Sequence, residues 1–182
     1  MQKDNSELEL THSPTGKGGK RVPPPGQKEM KFEFEPKELE INTAFFGLAQ
    51  NIYLETKLEL GENIALDVLT WGLARGLKEA YQASGFKEEA RGNPEEFKRL
   101  LTARDNAVGL RVLFPEVTEN RIVYQFLDDP FPDLKGHVDP EKLATTYMDF
   151  KVSYLLGKEW SYHMTKHFWK GDNCIEYVIE KK

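Results

Sequence analysis

The residues whose types could do chemistry crowd toward the end of this chain, between Trp160 and Lys182. That run holds the only cysteine, Cys174, together with His167, Asp172 and Glu176. A cysteine with a histidine and a carboxylate is the equipment of nucleophilic catalysis. The thiolate attacks carbon, the imidazole takes and returns the proton, and the carboxylate orients the imidazole. Two runs rich in aromatic and β-branched residues flank Lys170, Gly171, Asp172 and Asn173, which reads as strand, tight turn, strand. A turn centred on Gly171 and Asp172 sets Trp169 opposite Cys174 and His167 opposite Glu176. Alternation then places His163, Thr165, His167 and Trp169 on one face with Cys174, Glu176 and Val178. The other face, with Tyr162, Met164, Phe168, Ile175, Tyr177 and Ile179, is more apolar and is expected to meet the core.

Electrostatics pulls the thiol both ways. A charged imidazole beside Cys174 lowers its pKa, whereas Asp172 and Glu176 raise it, and this register brings no Lys or Arg to compensate. The plainer reading, which that missing cation favours, makes Cys174 a small buried apolar residue and His167 a surface strand residue. A metal site from His163 and His167 would suit a helix, but four residues of strand span about 13 Å, too far for one ion. His137 with Asp133 and Asp139 reads as a solvated turn. Neither a metal nor a cofactor is expected. The aromatics Phe45, Phe46, Trp71, Tyr147, Phe150, Tyr154 and Trp169 could line a pocket for a flat organic molecule, or simply form core. Trp71, Tyr147, Asp149 and Trp169 are the candidate ligand-binding residues.

The elements that must position these side chains follow from periodicity. Residues 1–33 are polar and broken by glycine and proline, so a disordered tail is expected, with one folded domain over 34–182. Helical spacing predicts a first helix from about Pro36 to Gly61. A second runs from Glu62 to about Ser84, striped by Leu66, Leu69, Leu73, Leu77 and Tyr81 and broadened by Ile64, Val68 and Trp71. A third opens at Asn93 and Pro94. The period then shifts to two: Val108 to Phe114, a turn over Pro115 to Asn120, and Ile122 to Leu127 make a hairpin. Asp139 and Pro140 cap a fourth helix to about Leu156, and the final hairpin closes the chain. The expected class is α+β, an antiparallel sheet of about four strands covered by helices.

Composition narrows the partners. At 182 residues with 30% charged residues and a net charge of -5, the chain is mildly acidic, which argues against phosphate backbones and anionic lipid. No apolar run approaches the roughly 18 residues of a membrane helix, and no signal-peptide pattern or disulfide pair is present, so a cytoplasmic protein is expected. A small molecule is the expected ligand, with a protein partner or a homo-oligomer left open.

The order of elements and the closing Gly171, Asp172, Cys174 and Tyr177 resemble the L-2-amino-thiazoline-4-carboxylic acid hydrolase family, small bacterial proteins with a Gly-Asp-x-x-Cys-like strand entry. The resemblance covers roughly Ala44 to Lys182 and is strongest at the end. A looser likeness is to the 4-vinyl reductase-type ligand-binding domain. The first resemblance implies hydrolysis of a cyclic C–N bond, with Cys174 as nucleophile and His167, Glu176 and Asp172 around it. The family usually reads Cys-Pro after the second strand and has a cysteine before an aspartate in the following helix. This chain has Asp129-Pro130 at the first place and no cysteine before Asp149 at the second. Two classes therefore stand: a small-molecule hydrolase, or a binding or accessory protein that keeps the fold without the chemistry.

Overall fold

The computed structural model describes residues 41–182, so the expected tail and the first turn of the expected first helix lie outside the described residues. Local chemistry sets the helix starts. Asn42 accepts from the Phe45 N–H at 3.0 Å and opens α1, Thr43–Leu60. Gly61, at φ +92°, ends α1 and begins α2, Glu62–Ala83, a corner that a side chain would strain. Asn93 accepts from the Glu95 and Glu96 N–H groups to open α3, Pro94–Ala107. Asp139 accepts from Glu141 and Lys142 to open α4, Pro140–Leu155. In both, proline takes the first turn, where its missing N–H leaves no helical bond unmade.

The strands are β1, Val112–Val117, β2, Arg121–Phe126, β3, Trp160–Lys166, and β4, Ile175–Lys181. They form one antiparallel sheet in the order β1-β2-β4-β3, so the two hairpins meet along β2 and β4. There Ile122 pairs with Ile179, Tyr124 with Tyr177 and Phe126 with Ile175. These six side chains share one core with apolar residues of all four helices, which gives the expected α+β class. The expected apolar face of the last hairpin is therefore the core face, carried by Ile175, Tyr177 and Ile179. No helix among the described residues is long and apolar enough to cross a membrane.

The first hairpin starts later than its alternation predicts. Val108 and Leu110 both donate backbone bonds to the Asp105 carbonyl, and Gly109 takes φ +72°, so Val108 to Leu110 close α3 instead of opening a strand. Pro115, expected in the turn, lies inside β1 at a register shift between Leu113 and Glu116. A residue without an N–H fits such a break in the ladder. The turn is shorter, with Thr118 Oγ1 accepting from Arg121 N at 3.0 Å.

The last hairpin also departs from the expected register. Met164 pairs with Tyr177 and, after a bulge, Lys166 pairs with Glu176, so His167 does not face Glu176 and Trp169 does not face Cys174. The Asp172 carboxylate accepts from the His167 backbone N–H at 2.8 Å, and His167 Nδ1 accepts from Trp169 N at 3.1 Å. These bonds draw the chain out of the ladder into a single 3-10 turn, Phe168–Lys170, followed by Gly171 at φ +95°. A two-residue turn is thereby replaced by a wider, internally bonded loop. Trp71 departs as well: it is 71% exposed and does not broaden the buried stripe of α2.

Candidate functional site

The fold leaves a cavity of about 320 Å³ bounded by α1, α2, the end of α3, α4 and the core face of β2. Its walls are mainly aliphatic and aromatic side chains, among them Phe46, Leu69, Leu77, Phe126 and Phe131. On the α2 side the wall includes Gly72 and Gly76, one helical turn apart. A Cβ on either would meet no atom within 4 Å, and neither has a positive φ. The backbone does not require glycine at these positions, yet a glycine inside a helix costs about 1 kcal/mol relative to alanine. What the two glycines provide is space on the cavity side.

The polar groups of the lining are few and concentrated. Tyr147 and Lys151, four residues apart on α4, face the cavity from the same stripe. The Lys151 ammonium lies 3.2 and 3.3 Å from the two carboxylate oxygens of Asp105 and donates to the Tyr124 hydroxyl at 3.0 Å. The Tyr124 hydroxyl in turn donates to Asp105. The rings of Tyr124 and Phe126 lie 5.1 Å from the ammonium, close enough for cation–π attraction. Burial lowers the Lys151 pKa, opposed by Asp105, and burial with the nearby Asp105 charge pushes Tyr124 well above its ordinary value. A neutral hydroxyl therefore bridges a buried ion pair. Beside it, Tyr147 and Tyr177 share a hydroxyl–hydroxyl bond of 2.6 Å.

Arg104 completes the charged lining. It is half-buried in the last turn of α3, with its guanidinium 5.8 Å from the centre of the Phe45 ring. No described carboxylate forms an ion pair with it.

Of the candidate ligand-binding residues, the structure brings only Tyr147 to the cavity. Trp71 points to solvent. Asp149 is exposed and accepts from the Tyr162 hydroxyl at 2.5 Å. The Trp169 indole N–H donates to Asp129 at 2.7 Å, with its ring edge-on to His167.

The candidate catalytic residues lie around the last hairpin, and none lines the cavity. Cys174 is buried, and its thiol pKa is pushed up by burial and by Glu176 and Asp172, against the pull of Lys166. The expected lack of a cation is thus corrected, because the bulged register brings Lys166 opposite Glu176 at 2.9 Å. Burial pushes the Glu176 carboxyl up, but hydrogen bonds from Lys166, Gln125 and Thr165 outweigh it and hold the pKa below its ordinary value. His167, which the plainer of the two readings put at the surface, is buried, and burial lowers its pKa. Its Nδ1 is engaged by Trp169 N, and Asp172 holds its backbone. No cluster of three or more His, Cys, Asp or Glu among the described residues could hold a metal ion.

Lys151, Asp105, Arg104 and the two glycines were not singled out by sequence reasoning. Their signals were legible only in part. Lys151 lies four residues after Tyr147 in an apolar stripe, Asp105 lies four after Leu101, and Gly72 and Gly76 are spaced by four within a helix.

No family model matches the chain, and no curated protein matches it. Among solved structures it is similar to the phenol-responsive sensory domain of the transcription activator PoxR, determined with phenol. The likeness has a TM-score of 0.53 at 15% identity and covers 79% of this chain and 75% of that one. At that identity the two share a fold.

Proposed function

We propose that this chain is a binding module for a small, mainly apolar organic molecule held in the cavity between the α1–α2 pair, α4 and the sheet. The observation that carries this reading is the glycine-lined apolar wall facing a buried Lys151–Asp105–Tyr124 network. Cavities near 300 Å³, apolar with a few converging polar groups, are the usual form of a site for a one- or two-ring ligand. A buried ion pair contributes little net stability compared with apolar packing, and this one stands at the wall of the cavity. The similar solved domain was crystallised with a small aromatic molecule, which is compatible with such a use of the fold.

Hydrolysis of a cyclic C–N bond through Cys174 is less well supported. The thiol is outside the cavity lining, burial disfavours its thiolate, and His167 Nδ1 already accepts a backbone hydrogen bond. Titration with 2-naphthamide, a neutral two-ring probe, tests the binding reading. One saturable site and a ligand-dependent rise in the unfolding midpoint are expected, both weakened in Gly76→Leu. An absence of saturable binding to the native chain by both this amide and the isosteric carboxylate, 2-naphthoate, would overturn it.

A further inference from the structure

The charged groups of the cavity do not sum to zero. Arg104 and Lys151 are cations, and Asp105 is the single carboxylate in the lining among the described residues. Asp105 is already committed: it holds Lys151 through both oxygens and accepts from Tyr124. Lys151 spends its donors on Asp105 and Tyr124, so the pair is internally neutral and offers an anion a nearby carboxylate as well as an ammonium. Arg104 is different. Its guanidinium lies over the face of Phe45, which leaves the rim, where the N–H groups lie, without an acceptor among the described residues. Half-buried beside an apolar wall, that cation is dehydrated on one side and has no carboxylate partner among the described residues. A cationic ligand would meet it as a repulsion, and a purely apolar one would leave it unpaired.

We propose that the ligand is an amphipathic monoanion, an aryl carboxylate whose ring body fills the cavity and whose carboxylate pairs with Arg104 at its half-exposed edge. This rests on the reading of the cavity as a ligand site. The guanidinium can meet a carboxylate with two parallel N–H···O bonds, a geometry lysine does not offer. The carboxylate lies toward solvent, where its dehydration is incomplete, and the ring lies against Phe45 and the α2 glycines. A plainer role for Arg104 exists, since a cation in the last turn of a helix complements its dipole. The two roles separate by experiment, because the dipole acts equally whatever ligand is present.

The test compares 2-naphthoate with its neutral isostere 2-naphthamide on the full chain and on Arg104→Gln, near pH 7.5. The native chain is expected to bind 2-naphthoate about tenfold more tightly than the amide, as a partly exposed charge-assisted pair should allow. The preference should shrink as salt is raised. In Arg104→Gln the ratio of the two affinities should collapse to within about twofold, since the charge pair is removed. Equal or tighter binding of the amide by the native chain overturns the inference, as does a preference that survives Arg104→Gln. Binding of the amide alone leaves the cavity reading standing while this one fails. Binding of neither probe removes both.

Discussion

Replacing Gly76 with leucine should make the protein more stable and a worse binder at once. Gly76 sits inside α2 with helical backbone and open space where a Cβ would project. Leucine recovers nearly all of the propensity that glycine forfeits, about 0.8 kcal/mol. Its side chain would enter the apolar cavity; half of the burial gain of a leucine adds roughly 1 kcal/mol. A total near 2 kcal/mol should raise the thermal midpoint by about 4–8 °C for a domain of this size. The same side chain occupies the volume that a ring would take. Overpacking a filled site by that much costs about 1–3 kcal/mol, which is roughly 5- to 150-fold in affinity. Urea denaturation gives the first quantity and 2-naphthamide titration the second, on the same preparations. A destabilised Gly76→Leu would mean that the space beside α2 is not open. A stabilised variant with unaltered affinity would mean that the probe binds elsewhere, and either result refutes the glycine argument.

Other outcomes follow from other parts of the fold. Lys151→Met should cost about 3–5 kcal/mol in urea denaturation, because it leaves Asp105 charged and buried, and adding Asp105→Asn should recover much of that loss. A thiol reagent should label Cys174 slowly in the native chain and quickly in denaturant, since burial raises the thiol pKa; fast native labelling would contradict this. The folded-state pKa of His167 is depressed, so the unfolded chain binds more protons between that value and the ordinary one near 6.5. The stability His167 contributes is therefore present above about pH 6.5 and lost as pH falls through the folded value, and His167→Gln should flatten the slope of urea midpoint against pH there. Gly61→Ala should lose about 1–3 kcal/mol from the glycine-favouring backbone at the α1–α2 corner, read from the same denaturation curves.

Much of the architecture was written locally. Asn93 with Pro94 and Asp139 with Pro140 place two helix starts through bonds made within three residues, and Gly61 marks the break between the first two helices. Alternation identified the core face of the last hairpin, Ile175, Tyr177 and Ile179, because the pleat ties sequence parity to a side of the sheet. Those features depend on neighbours in the chain, so the sequence alone determines them. Register did not follow in the same way. A single side chain, Asp172, bonding the His167 backbone widened the loop and brought Lys166 opposite Glu176. A bulge of one residue shifts every pairing beyond it, and nothing in the periodicity of either strand records the bulge.

The cavity is further still from the sequence. Gly72 and Gly76 on α2, Arg104 and Asp105 on α3, Tyr124 on β2 and Lys151 on α4 come from four elements and meet only when the helices settle on the sheet. Each has an ordinary local meaning by itself: a weak helix position, a basic last turn, a strand aromatic, an isolated lysine in an apolar stripe. Whether a polar residue on an apolar face is a defect or half of a buried pair depends on what another element places opposite it. That is set by packing over distances of 27 to 46 residues in sequence, as Lys151 shows with Tyr124 and with Asp105.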